Sequence, residues 1–119
     1  MNKLVYIAGP YSATTQLGVE ANVTKAREAA LWCVEHRIFY FCPHLNSIFF
    51  ERWLPEVPVE FYYDMDICIA EGCDAALMVG TWDLSKGAVK EYHYFARANK
   101  PIFYWPNELD KLLSWHKGE

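Results

Sequence analysis

The sequence predicts an α/β domain: a single Rossmann-like or flavodoxin-like open parallel sheet of about four or five strands, with helices on both faces. Three observations carry that prediction. Short apolar runs alternate with helix-patterned segments along the chain. The run DAALMV at 74–79 is apolar almost throughout, as strands of a parallel sheet covered on both faces are. Polar, Gly- or Pro-bearing segments follow the apolar runs, where turns must lie. With 119 residues, 53% hydrophobic and 22% charged, the chain can build one compact domain with a real core, residues 1–119, and has no room for a second.

Each element has its own local reason. Residues 3–8, KLVYIA, read as a first buried strand closed by Gly9-Pro10. A polar loop through Thr14 and Thr15 leads to a helix over about 20–36, with Val23, Ala26, Ala30, Cys33 and Val34 on one face and Lys25, Glu28 and Glu35 outward. IFYFC at 38–42 is a second strand stopped by Pro43. Residues 44–58 hold a short helical piece, then Pro55 and Pro58, which mark a loop and the start of a helix over about 59–72 ended by Gly72. The central strand 74–79 and a helix over about 86–99 follow. Pro101 opens a strand, IFYW, and Pro106 with Asn107 starts the last helix, NELDKLLSWHK.

Composition narrows the partners. A net charge of −4 argues against nonspecific binding to a nucleic-acid polymer or to an anionic membrane, so any phosphate must be held locally. The opening MNKLVYIAGPYS has an apolar run too short for a signal segment or a membrane span, and the expected location is the cytoplasm. Cys33, Cys42, Cys68 and Cys73 form no CxxC pair, and each sits in an apolar run that suits a small buried thiol in a reducing compartment. His36, His93 and His116 share no metal-ligand spacing with one another or with cysteine, so neither metal nor cofactor is expected. Aromatic residues at 17% are enough to supply a subunit interface or a base-stacking pocket.

The architecture locates the site before any chemistry. Ligands of open α/β sheets bind outside the carboxyl ends of the strands, which points to Gly9–Ser12, Pro43–Asn46 and Gly80–Gly87. There is no GxGxxG after the first strand and no GxxxxGK[ST]. The most informative stretch is GTWDLSKGAVKE at 80–91, running from a strand end into a helix. Residues four apart share a helix face and side chains lean toward the N-terminus, so Glu91 should lie over Gly87, where no side chain blocks a ligand. The unpaired N–H groups of the first turn, with Ser85 and Lys86, suit an anion. An ordinary helix start, with Ser85 or Asp83 as cap and Glu91 solvated, fits the same residues.

Taken together, YIAGPYS, Asn22, CPHL, DICIAEGCDAALMVGTWDLSKGAVKE and KPIFYW resemble the nucleoside 2-deoxyribosyltransferase-like superfamily, including its 2'-deoxynucleoside 5'-phosphate N-hydrolases, over most of residues 4–105. The resemblance implies that Glu91 is a nucleophile attacking the anomeric C1', ionised with help from the nearby helix N-terminus. It implies Asp66 as the acid that contacts or protonates the leaving base, and Tyr6 as holder of the nucleophile or the sugar O5'. His44 would touch substrate, and Ser85, with Lys86 adding charge, would contact a 5'-phosphate. Gly9, Pro10 and Ser12 stand in place of the longer Ser/Arg/Gly-rich first loop of the monophosphate hydrolases. Asp64, Asp74 and Glu71 rank below Asp66, with Asp74 expected to orient structure.

The expected function is hydrolysis or transfer of the base of a 2'-deoxyribonucleoside 5'-monophosphate or deoxynucleoside, the monophosphate being favoured. The alternatives are a noncatalytic nucleotide-binding or sequestering module and a structural subunit. A homodimer or higher homo-oligomer is expected, with Trp32, Trp53, Trp82, Trp105 and Trp115 among the aromatics available to its interface.

Overall fold

The computed structural model describes residues 2–119 and has the α/β architecture the sequence predicts. Strands β1 (Leu4–Ala8), β2 (Phe39–Phe41), β3 (Ala75–Met78) and β4 (Ile102–Tyr104) form one parallel sheet in the order β2-β1-β3-β4. The helices are α1 (Gln16–Glu35), α2 (Pro43–Asn46), α3 (Phe50–Trp53), α4 (Val59–Ala70), α5 (Lys86–Arg97) and α6 (Leu109–Lys117).

Side-chain alternation along the strands sorts the core into two layers. Val5, Ile7, Ala75, Leu77 and Phe103 pack with Ala26, Ala29, Ala30 and Cys33 of α1 and Leu112 of α6. Tyr6, Ala8, Ala76 and Met78 pack with Ala70 of α4 and Phe95 of α5. Alanines at the sheet positions of the second layer leave room for the Tyr6 and Phe95 rings, whose centroids lie 5.7 Å apart.

Several boundaries differ from expectation for local reasons. Helix α1 starts at Gln16 rather than near residue 20, because Thr15 Oγ1 accepts the Gly18 N–H at 3.0 Å and caps a polar first turn that apolar periodicity does not reveal. Val34 is 52% exposed rather than on the core face. The buried stripe follows Ala26, Ala29, Ala30 and Cys33, and Val34 lies about 100° around the helix from Cys33, in the last turn. The span 44–58 holds two short helices, separated at Phe49, which takes a left-handed φ of 63°. Helix α6 begins at Leu109 rather than Asn107, since residues 105–108 are spent on a turn. Cys68 is exposed, unlike the other three cysteines; it shares the exposed outer face of α4 with Asp64, four residues earlier. Trp32, Trp105 and Trp115 pack against the first core layer and Trp82 against the second, which leaves Trp53 as the tryptophan facing solvent, 79% exposed. Among the described residues no helix is long and apolar enough to cross a membrane.

The sheet order positions the site. From β1 the chain crosses to β2 on one side, and from β3 to β4 on the other, so the loops after the two central strands diverge and leave a crevice. Gly9 lets those loops meet below it: a Cβ there would lie 2.5 Å from Val79 Cγ2 and 2.9 Å from the Val79 carbonyl oxygen. Gly80, with φ +62°, turns the chain away at the end of β3.

Candidate active site

A cleft of about 320 Å³ opens at this crevice, a size that suits a small metabolite. Its lining brings together Gly9 and Ser12 after β1, His44 of α2, Asp66 of α4, and Ser85, Gly87 and Glu91 of the α5 region. Seven of the ten residues singled out from sequence, drawn from segments far apart in the chain, therefore share one cavity.

Glu91 is the centre of it. Ser85 caps α5, its Oγ accepting the Ala88 N–H at 3.2 Å, so the cap is Ser85 rather than Asp83 and Glu91 falls in the second turn. The carboxyl group is nearly buried, with 7% of the residue exposed, which removes the reading of Glu91 as a solvated acid. Beneath it the Tyr6 hydroxyl donates a hydrogen bond to Oε2. Tyr6 is fully buried, its ring set among Phe41 and Phe95. Packing fixes the ring, and the hydroxyl reaches the Glu91 carboxyl, which in turn faces the cleft.

Electrostatics corrects one expectation. Burial pushes Glu91 up to about 8, the Tyr6 hydrogen bond opposes the rise, and the charge of Asp66 adds to it. The helix N-terminus does not keep the group ionised, because its field fades beyond the first turn and Glu91 lies past it, where desolvation dominates. Burial likewise raises Asp66 to about 6. Two carboxyl groups that repel in one cleft titrate as a pair, so between about 6 and 8 they hold one proton between them. The Tyr6 hydroxyl is pushed far above its usual range by burial and then by Glu91, so it remains a donor.

Four further site residues take other places or roles than expected. His44 lines the cleft but is 4% exposed, and its Nε2 lies 2.8 Å from the Pro10 carbonyl. A carbonyl only accepts, so Nε2 carries the proton; burial depresses the pKa and keeps the ring neutral. His44 and Pro10 thus fix the loop after β1, and Pro10 stands behind the cleft wall. Asn22 helps them, its Nδ2 donating to the Tyr11 carbonyl at 3.0 Å. Lys86 is exposed and outside the lining; the cation at the cleft is Lys90, one turn later, whose Nζ stands 5.2 Å from the Tyr63 ring centroid. Gly87 is not left bare for a ligand, since the Tyr63 ring occupies the place of its missing side chain, with Cε1 2.8 Å from where a Cβ would stand.

Of the lower-ranked acids, Asp64 and Glu71 are exposed, while Asp74 Oδ2 accepts the Leu4 N–H at 2.8 Å and ties the start of β3 to β1, the orienting role expected of it. Sequence reading missed Tyr11, Glu51, Val57, Tyr62, Tyr63 and Lys90, all of which line the cleft. Tyr62 and Tyr63 carried a usable signal, lying four and three residues before Asp66 on the same helix. Glu51 carried none, since it belongs to a helix of a single turn. No group of three or more His, Cys, Asp or Glu among the described residues is placed to hold a metal ion.

Residues 3–105 match the model of a family described as a domain of unknown function, DUF7768. No curated protein matches the chain.

Proposed function

The chain belongs to the DUF7768 family, and we propose that it is an N-glycosidase or deoxyribosyltransferase acting on a 2'-deoxyribonucleoside or its 5'-monophosphate through a covalent glutamyl-sugar intermediate. The single observation that carries the reading is a buried glutamate, Glu91, hydrogen-bonded by the Tyr6 hydroxyl and sharing its cleft with Asp66. Paired carboxyl groups in one cleft suit cleavage of a bond at an anomeric carbon. The Tyr11, Tyr62 and Tyr63 rings along the walls suit a flat base. The resemblance of residues 4–105 to the nucleoside 2-deoxyribosyltransferase-like superfamily supplies the substrate class.

In this mechanism a Glu91 oxygen bonds to C1' as the C1'–N bond breaks, and the bonding pair leaves with the base, which takes a proton from Asp66. Water, or the ring nitrogen of a second base, then attacks C1' and frees Glu91, while the Asp66 carboxylate receives the proton of the attacking group. The reactive protonation state is Glu91 ionised and Asp66 protonated. The Tyr6 hydrogen bond favours it, and burial of Glu91 opposes it. The same opposition favours the second reading, a noncatalytic nucleotide-binding module, since a glutamic acid that holds its proton at neutral pH is a poor nucleophile.

Charge bears on the phosphate. Three carboxyl groups, Glu51, Asp66 and Glu91, share the cleft with one lysine, Lys90, while Ser85 caps the helix through a lone pair and keeps its hydroxyl proton to donate. The carboxyl groups weigh toward the nucleoside, and Lys90 with the Ser85 hydroxyl weighs toward the monophosphate that the sequence favours. The proposal also includes pairing with a second copy: Phe50, Trp53, Leu54 and Phe61 expose apolar surface on α3 and the adjoining start of α4. Activity per chain that falls on dilution, in step with dissociation seen by light scattering, is expected.

The test is incubation with deoxy- and ribonucleosides and their 5'-monophosphates, with free base measured by chromatography. Base release from deoxynucleosides is expected. Saturable binding without release identifies the noncatalytic module, and neither binding nor release defeats both readings.

A further inference from the structure

We propose that Glu51, held by Tyr11, is the specificity-determining residue of this cleft and that it selects bases bearing an exocyclic amino group over thymine and uracil. This rests on the glycosidase reading above. The Tyr11 hydroxyl lies 3.0 Å from each Glu51 carboxylate oxygen and accepts the Phe49 N–H at 2.8 Å. One hydroxyl proton cannot satisfy two oxygens with about four acceptor sites between them, so the carboxylate keeps acceptor capacity, and Glu51 lines the cleft. No cation takes up that capacity: among the described residues the one ion pair is Lys111 with Glu108, and neighbouring Arg52 donates to Gln16 instead. The hydrogen bond to Phe49 also holds a bulky residue at φ 63°, an uncommon conformation for its type, just before α3 presents Glu51.

The position of Asp66 sets the orientation of the substrate. The group that protonates the leaving nitrogen must lie beside the base, so the base extends from Glu91 toward α4. There Val59, Tyr62 and Tyr63 line the cleft within two turns of Asp66, and Tyr11 lines the same cleft. The edge of the base remote from the sugar then meets Glu51. A carboxylate offers only acceptors. It pairs with the amino groups of cytosine, adenine and guanine, whereas thymine and uracil present carbonyl oxygens on both sides of one N–H and are repelled.

The experiment is competition among equimolar deoxycytidine, deoxyadenosine, deoxyguanosine and thymidine, with each released base measured for wild type, Glu51→Gln and Tyr11→Phe. For wild type, each amino-bearing base should leave at least about tenfold faster than thymine by kcat/KM. Glu51→Gln keeps the shape and adds a donor for the thymine carbonyl, so it should narrow the preference by about tenfold and raise thymine release in absolute rate. Tyr11→Phe frees the carboxylate to rotate and should weaken the preference without reversing it. Thymine released as fast as cytosine by wild type, or an unchanged ratio in Glu51→Gln, overturns this assignment and leaves the glycosidase reading intact. Release of no base from any of the four overturns both.

Discussion

The two walls of the cleft are built differently. The inner wall stands on the central strands: Tyr6, Gly9 and Glu91 are buried, and their positions are set by strand register, by close packing of Gly9 on Val79 and by α5 lying on the sheet. The outer wall stands on α3 and the start of α4, where Glu51, Val59 and Phe61 are exposed and the tie to the rest of the domain runs through Tyr11 and Arg52. A group that must meet a reacting carbon within a fraction of an ångström belongs on the first kind of support, and groups that sort ligands can stand on the second. Changes on the inner wall should therefore alter kcat and stability together, and changes on the outer wall should alter KM and the choice of base.

The largest effect sharpens that contrast most. Glu91→Gln keeps size and hydrogen bonding but removes the nucleophile, so turnover should fall by several orders of magnitude. Its stability should move the other way. The Glu91 carboxyl rises from 4.5 in the unfolded chain to about 8 in the fold, so the native state holds the extra proton; its contribution is full below about 4.5 and is lost as pH rises through about 8. Glu91→Gln should therefore melt at a higher temperature than wild type near pH 9, with the difference shrinking toward pH 5, by scanning calorimetry. A pH-independent difference would break the link between burial and the inner wall.

Tyr6→Phe comes next. It removes a hydrogen bond to a charged acceptor, worth about 1.5–3 kcal/mol, so kcat should drop roughly ten- to hundredfold. Without its donor Glu91 ionises at still higher pH, and the dependence of activity on pH should shift upward. For wild type, kcat/KM should be bell-shaped, with limbs near 6 and 8: below the first both carboxyls are protonated and no nucleophile exists, above the second both are ionised and no acid remains. Asp66→Asn should cost least for substrates whose base leaves easily, because an acid matters most for a poor leaving group. The smallest effect belongs to Ser85→Ala, which loses the α5 cap and should cost about 1 kcal/mol of unfolding free energy in a urea titration.

The same division explains what could be read from sequence. The apolar runs of β1 and β3 and the glycines after them express short-range rules, so the sheet and the crevice were legible, whereas Glu91 stands out only through the family resemblance, since its spacing from Gly87 fits a solvated acid equally well. Burial of Glu91 was not legible, because it depends on Tyr6, 85 residues away in the chain, and on the helices that exclude water from the pair. The side of α5 that meets the cleft is likewise a tertiary fact, which is why the helix start points to Lys86 where Lys90 stands. On the outer wall, helices of four residues carry too little periodicity to place Glu51, and the hydroxyl of Tyr11 finds its partners only after the chain has crossed the sheet.

The most direct measurement of the central claim is trapping of the glutamyl-sugar ester. A deoxynucleoside mixed with the protein and quenched in acid within milliseconds to seconds should give intact protein heavier by one deoxyribosyl group, mapped by peptide mass spectrometry to Glu91. It should appear with at most one equivalent of free base per chain in the first turnover and be missing in Glu91→Gln. Base release at full rate by Glu91→Gln, or an adduct on a different residue, would contradict the account.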